Sequence, residues 1–255
     1  MEIAFLYNGE GTSASDIRVE IYRESLIDFD EIVADINSYI VDLVYADPTK
    51  DITVAKAKVK NFIEKKNIYG KMGIVSELMG HILVRKKLHM NHLSLMVSLE
   101  DSGMKKGFDG VYERNNEVWF GESKSTMTDG AVHAENIDEA LRCFRNKING
   151  TAPNNPWNNA ITHFYCLQNG AKATASIKKR ISDLSDDFEK RTYTDTDEFN
   201  ILPISTLFVN DSQSLTTLVS DIDTITKRFD RFNKMIVLCI NNELFARIVD
   251  YLEGR

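Results

Sequence analysis

Between residues 32 and 44 the apolar positions Ile32, Val33, Ile36, Ile40, Leu43 and Val44 recur every three to four residues, the period of one buried helix face. Asp47-Pro48 ends the pattern, because proline biases the residue before it away from helical backbone. A more polar helical segment follows around Val54 to Ile63. Then comes a strongly apolar one, Ile74 to Val84, in which Ile74, Val75, Leu78, Met79, Ile82 and Leu83 form a wide buried face with Glu77 and His81 four apart beside it. From His92 the period changes to two: Leu93, Leu95, Val97 and Leu99 alternate, which predicts a strand. Phe108 to Tyr112 and Val118 to Lys124 predict two more, joined around Asn115-Asn116 as a hairpin.

Beyond the hairpin, Ile137, Ala140, Leu141, Phe144 and Ile148 predict a helix stopped by Asn149-Gly150. The loop Thr151 to Asn159 leads to a strand near Ile161 to Leu167, a helix near Thr174 to Phe188 and a strand near Ile201 to Val209. A helix with Leu215, Leu218, Ile222, Ile225 and Phe229, a strand from Met235 to Ile240 and a last helix with Leu244, Phe245, Ile248 and Leu252 complete the chain. Helices alternating with short apolar strands predict an α/β layered fold. Residues 1–70 read as a mainly helical accessory region and 71–255 as an α/β core, although no linker composition marks the boundary.

Composition narrows the class. With 43% hydrophobic residues, 27% charged residues and 4 prolines among 255, the chain is that of a folded protein, not a disordered or collagenous one. Its net charge of −7 argues against coating nucleic acid by charge alone, since such binders neutralise phosphates with a basic surface. Cys143, Cys166 and Cys239 are odd in number and lack CxxC spacing, so core thiols are expected rather than disulfides or a zinc ribbon. Met1-Glu2-Ile3-Ala4-Phe5 has no basic segment, and the longest apolar run, Met235 to Ile240, is far below the roughly 20 residues that span a bilayer; a soluble, cytoplasmic protein is expected.

The hairpin carries the chemistry. Alternate strand residues share a face, so Glu122 and Lys124 project together and Ser123 opposite. If Asn115-Asn116 form a two-residue turn, paired positions sum to 231, which sets Asp109 across from Glu122. Two opposed carboxylates among Val111, Val118 and Phe120 repel unless a cation lies between them. Magnesium suits that place: it takes oxygen ligands, polarises a phosphodiester and lowers the pKa of a bound water, while Lys124 could neutralise charge on the phosphorus oxygens. Glu and Lys are also common on solvent-facing edge strands, and that plainer reading stays open.

Helix with Glu77, strand near Leu93, Asp109, Glu122-x-Lys124 and the helix around Leu141 follow the order of the PD-(D/E)xK nuclease superfamily, which this chain resembles. Phe108 stands where the superfamily's name has proline. More narrowly, Ser76-Glu77-Leu78-Met79-Gly80-His81, Lys106-Gly107-Phe108-Asp109-Gly110-Val111-Tyr112 and Trp119-Phe120-Gly121-Glu122-Ser123-Lys124-Ser125 are similar to the HamA nuclease family of the Hachiman antiphage defence system. The resemblance implies a restriction-endonuclease-like core with a central mixed sheet flanked by helices. It also implies a magnesium-dependent (or manganese-dependent) DNA nuclease in complex with a helicase subunit. Within it, Asp109, Glu122 and the Ser123 carbonyl would be metal ligands, Lys124 the catalytic lysine, and Glu77 the helix carboxylate that completes the site. The alternative is an inactive, nuclease-like subunit that holds or regulates the helicase; an RNA-cutting or restriction-type nuclease would share the same site.

Other signals have plainer readings. His81 is expected to be a hydrogen-bonded, partly buried histidine, and His89 with His92 lacks a third zinc ligand. Asn8-Gly9-Glu10-Gly11-Thr12 reads as a turn, lacking the lysine of a P-loop. The basic clusters Lys65-Lys66 with Lys71, Arg85-Lys86-Lys87, Lys178-Lys179-Arg180 and Lys227-Arg228 with Arg231 read most simply as solvated helix faces, although one or two near the site could grip a DNA backbone. Met90 and Met96 read as core, and Trp157, among Asn and Pro, as an exposed aromatic for a partner contact.

Overall fold

A computed structural model describes residues 1–7, 17–45, 47–96, 107–158, 160–161, 175–211, 213–229 and 232–255. In chain order the elements are β1 (Glu2–Tyr7), β2 (Ile17–Ser25), α1 (Phe29–Tyr45), α2 (Ile52–Ile63), α3 (Ile68–Lys87), β3 (Asn91–His92), β4 (Gly110–Arg114), β5 (Glu117–Thr126) and α4 (His133–Ile148). They continue with α5 (Ala175–Glu189), a 3-10 turn (Thr196–Glu198), β6 (Asn200–Leu207), α6 (Leu215–Thr226), β7 (Lys234–Asn241) and α7 (Phe245–Glu253). Side-chain caps start four of the helices: Asp28 accepts from the Asp30 and Glu31 N–H groups, Asp51 from Thr53, Asn67 from Gly70 and Ser214 from Thr217, each satisfying a backbone donor that the helix leaves open.

The seven strands of the described residues form one mixed sheet in the order β1-β2-β7-β6-β5-β4-β3. β2, β7, β6 and β5 run parallel to their neighbours, and the outer pairs β1–β2, β5–β4 and β4–β3 are antiparallel. Every residue of β6 is buried, as a parallel strand covered on both faces requires. Along β7 the side chains alternate between two cores. Ile236, Leu238 and Ile240 join α1, α2, α3 and α7 on one face, while Met235, Val237 and Cys239 join α4, α5 and α6 on the other. The result is a helix–sheet–helix sandwich, the α/β class that the alternation of elements predicts.

Two expectations change. Residues 1–70 are not simply a helical accessory region: β1 and β2 lie in the sheet, β2 pairing with β7 from Val19↔Met235 to Ser25↔Asn241. The expected strand from Leu93 shrinks to Asn91–His92, after which Leu93, Ser94, Leu95 and Met96 are all buried instead of alternating. Val97, Leu99, the turn expected at Asn8 to Thr12, Cys166, Arg231 and most of the strand expected at 161–167 lie outside the described residues. No helix among the described residues is long and apolar enough to cross a membrane.

A buried polar network ties α4 to the ends of β6 and β7. His133, fully buried, bonds Ser205 through Nδ1 and Asn241 through Nε2, each at 2.8 Å, and Asp211 lies 3.6 Å away beside Arg23. Burial pulls the His133 pKa down to about 4, so this imidazole is neutral and structural at ordinary pH.

Candidate active site

The hairpin is built as the sequence arithmetic requires. Asn115 and Asn116 both have positive φ, 56° and 62°, the backbone of a two-residue type I′ turn, and asparagine is among the few residues that tolerate it. Val111 therefore pairs with Phe120 and Gly110 with Gly121, both summing to 231, and the next step of the register sets Asp109 beside Glu122. Asp109 closes the ladder with its own groups: its N–H donates to the Gly121 carbonyl at 3.1 Å, and its Oδ2 accepts from the Ser123 N–H at 2.8 Å.

The residues around this point share a purpose. Glu122 is only 3% exposed, yet it is ionisable. Burial first, and then the charge of Asp109, push its pKa up to about 7, against the pull of Lys147 and Lys124. Lys124 Nζ lies 3.4 Å from Glu122 Oε1 and 3.6 Å from Glu139 Oε1. Burial works to lower the Lys124 pKa, but Glu122, Cys143, Asp109 and Glu139 outweigh it and hold the ammonium above its ordinary range. Lys124 is thus a fixed cation at neutral pH, suited to offsetting anionic charge and not to accepting a proton.

Lys147 is the member that sequence reading missed. From α4 its Nζ reaches Glu122 Oε2 at 2.5 Å and the Gly107 carbonyl at 2.9 Å, and it stands 5.3 Å from the centre of the Phe108 ring. Glu139, Cys143 and Lys147 are spaced by four, so they form one row on α4 beside the stripe that packs on β5. That row was the available signal. Cys143 is partly exposed beside Lys124, so of the expected core thiols only Cys239 is a core residue among the described positions.

Two glycines flank the acids for a steric reason. Tyr112 lies across the other face of the sheet, and a Cβ added at Gly110 would come within 2.3 Å of its hydroxyl, one at Gly121 within 2.8 Å of its ring. Tyr112 is held there by a hydrogen bond between its hydroxyl and His81 Nδ1, 2.8 Å, and His81 in turn meets His92 at 2.7 Å. His81 is therefore the buried, hydrogen-bonded histidine that was expected, and not a site residue. Gly110→Ala is expected to destabilise the fold by about 1–3 kcal/mol through overpacking, and Gly110→Ala with Tyr112→Leu to recover most of the loss; urea unfolding of the two variants and the wild type checks it.

Trp157 corrects a further expectation. It is 2% exposed and packs against Phe108, Phe120 and Phe199, with ring centres 5.0, 5.2 and 5.5 Å away. The Asn155 side chain accepts the Trp157 backbone N–H, and the indole packs inward on these rings, so Trp157 supports Phe108, the residue before Asp109, and is no exposed partner contact.

Glu77 occupies a different position from the other acids. It is half-buried on α3, next to Ser76, which bonds Ser123 Oγ at 2.8 Å, and its charge acts with that of Asp109 on Tyr112. Among the described residues no three His, Cys, Asp or Glu side chains gather as a metal site. The oxygens that could hold a cation are those of Asp109 and Glu122 together with the Ser123 carbonyl, which leaves the strand on the same side as the N–H that Asp109 accepts.

A model of the HamA family matches residues 10–251. The chain belongs to the HamA family. Membership covers nearly the whole sequence, strands β2 to β7 included, and places the chain in Hachiman antiphage defence, a system in which HamA has a partner. No curated protein matches the chain. The hairpin acids and the α4 lysine form one charged group on the sheet face that α4 covers.

Proposed function

We propose that the chain is a magnesium-dependent DNA nuclease of PD-(D/E)xK type, the effector subunit of a defence complex with a helicase. The observation that carries this reading is Glu122: a nearly buried carboxylate beside a second one, with an ammonium fixed 3.4 Å away on the same strand face. A fold does not keep such a group for stability, since a buried ion pair is often no better than an apolar replacement.

The donor set fits a hard dication. Asp109, Glu122 and the Ser123 carbonyl would hold it, two carboxylates and a neutral oxygen being a usual share of magnesium's ligands. When bound, the ion supplies the positive charge that polarises a phosphodiester and makes water a better nucleophile. The chain's own residues do the rest. Lys124, a cation at neutral pH, neutralises charge building on the phosphate oxygens. Ser123 N–H fixes Asp109, and Trp157 fixes Phe108 beneath it.

The second reading, an inactive subunit that holds the helicase, draws on Lys147: an ammonium already sits on Glu122 Oε2 and the Gly107 carbonyl. One assay separates the two. The purified chain, with and without the helicase, is given labelled single-stranded and duplex DNA with magnesium or with EDTA. Cleavage that needs magnesium and disappears in Asp109→Asn is the expected result. Absence of cleavage under all conditions, with a folded wild-type chain and the helicase present, would establish the interaction subunit instead.

A further inference from the structure

The charge of the chain is not spread evenly. Residues 50–71 carry seven lysines, Lys50, Lys56, Lys58, Lys60, Lys65, Lys66 and Lys71, against two acids, Asp51 and Glu64. That segment is +5 in a chain of −7, so everything else amounts to −12.

The structure shows that these lysines are treated differently from the others. Among the described residues outside the segment, Lys86, Lys87, Lys124, Lys147, Lys179, Lys190, Lys227 and Lys234 all have a carboxylate within 4.0 Å, Lys178 being the exception. Inside it, only Lys60 and Lys71 do, with Glu64 and Glu253. Lys58 instead stands over the Tyr45 ring at 4.7 Å, Lys56 over Tyr251 at 5.1 Å and Lys66 over Phe62 at 4.7 Å. Ala55, Val59 and Ile63 form the buried stripe of α2, so the ammonium groups flank that stripe with their charge unspent.

Next to Lys65-Lys66, Tyr69 is 70% exposed in the first turn of α3. α3 runs antiparallel to β5, since His81 meets Tyr112, which pairs with Trp119, while Ser76 meets Ser123. Its first turn therefore lies past Ser123, toward the end of β5 that carries Lys124.

We infer that α2 and the turn into α3 form a surface that holds the phosphate backbone of a single nucleic-acid strand, with Tyr69 stacking on a base. Unneutralised lysines supply binding without sequence preference, and an exposed aromatic among them is how single strands are gripped. The contacts run from Lys50 to Lys66, along and just beyond α2, whose 12 residues rise about 18 Å. Lys50, Lys56, Lys58, Lys65 and Lys66 are the contacts, and Asp47, Asp51, Glu64 and Glu253 are the acids nearby that limit them. The choice of nucleic acid over an acidic protein rests on the nuclease reading and on Tyr69; the surface itself rests on the charge distribution.

Binding is measured in EDTA, where hydrolysis plays no part, by anisotropy of a labelled single-stranded oligonucleotide with the full chain. Five contacts predict a log–log salt slope of about −3.5, or about 100-fold weaker binding at 200 mM than at 50 mM salt. The Lys56→Gln, Lys58→Gln, Lys65→Gln, Lys66→Gln variant is expected to bind at least about 10-fold more weakly, with a slope near −0.7. Tyr69→Ala is expected to cost about 5-fold or more with the slope unchanged, and Lys178→Gln with Lys179→Gln to change nothing.

If the fourfold variant does not fold, as judged by circular dichroism, Lys65→Glu with Lys66→Glu in the exposed turn takes its place. Wild-type affinity in either charge variant overturns the inference. So does full competition by polyglutamate at equal charge combined with unchanged binding in Tyr69→Ala, which would assign the surface to an acidic protein. Strand binding through these lysines by a chain that never cleaves would leave this inference standing and remove the nuclease reading alone.

Discussion

Lys124→Met is expected to slow magnesium-dependent DNA cleavage by about 100-fold or more, the usual loss when one preorganised charge is taken from a transition state. Methionine keeps the length of the side chain where it packs beside Cys143, so the loss reports the ammonium. Lys147 still covers Glu122 Oε2 in this variant, and the buried carboxylate keeps a counter-charge. The folded chain should therefore melt within a few degrees of wild type, and its binding to a strand in EDTA should stay within about twofold, because the lysines of α2 are untouched. Single-turnover cleavage of a labelled strand measures the effect. Activity within tenfold of wild type, in protein shown free of contaminating nuclease, would remove Lys124 from the reaction and with it the PD-(D/E)xK assignment of this site.

Glu122→Gln is expected to change how stability depends on pH as well as to abolish cleavage. In the folded chain the Glu122 pKa is raised from 4.5 to about 7. The folded state thus holds a proton there that the unfolded state has already lost between those values. Stability from this group is fully present below pH 4.5 and is lost as pH rises through about 7, a change on the order of 3 kcal/mol.

His133 works in the opposite sense over an overlapping window. Its pKa falls from 6.5 to about 4 on folding, so its contribution is present above pH 6.5 and is lost as pH drops toward 4. The two groups mask each other in the wild type. Replacing Glu122 by glutamine leaves His133 exposed to view: the variant should gain stability relative to wild type as pH rises from 4.5 to 7, and the difference should level off above that. Urea unfolding at pH 5, 6, 7 and 8 gives the curve. A difference independent of pH would show that Glu122 is not held protonated in the fold.

The hairpin was legible because its information is local. Asn115-Asn116 fixes the turn, the turn fixes the sum of 231, and the sum sets Asp109 beside Glu122 without any knowledge of the rest of the chain. Lys147 was not legible, because reaching Glu122 depends on how α4 lies on β5, and a helix's own periodicity says which face is buried but not against what. The same distinction separates α3, read from its broad apolar face, from β2. Ile17, Val19 and Ile21 alternate, yet the partner of β2 is β7, more than 200 residues away, and the intervening helices dominate the pattern. Trp157 was misread since Asn and Pro neighbours describe the backbone as a loop and do not say which way an indole turns; packing on Phe108, Phe120 and Phe199 decides that. The cluster Lys65-Lys66 with Lys71 was visible in the sequence, but which lysines of that stretch have a carboxylate partner depends on how α2 and α3 pack.

Tyr112 fills the room that side chains at Gly110 and Gly121 would occupy. These three positions, on two strands, are therefore coupled: shortening the tyrosine makes room for a side chain at either glycine, and enlarging a glycine with the tyrosine in place strains the hairpin. Because the two glycines adjoin Asp109 and Glu122, drift at an uncharged, buried tyrosine reaches the acids without touching them. Relatives that have lost the acids should be the ones in which this triplet has come apart, and its state in a sequence marks whether the hairpin is still held to its geometry.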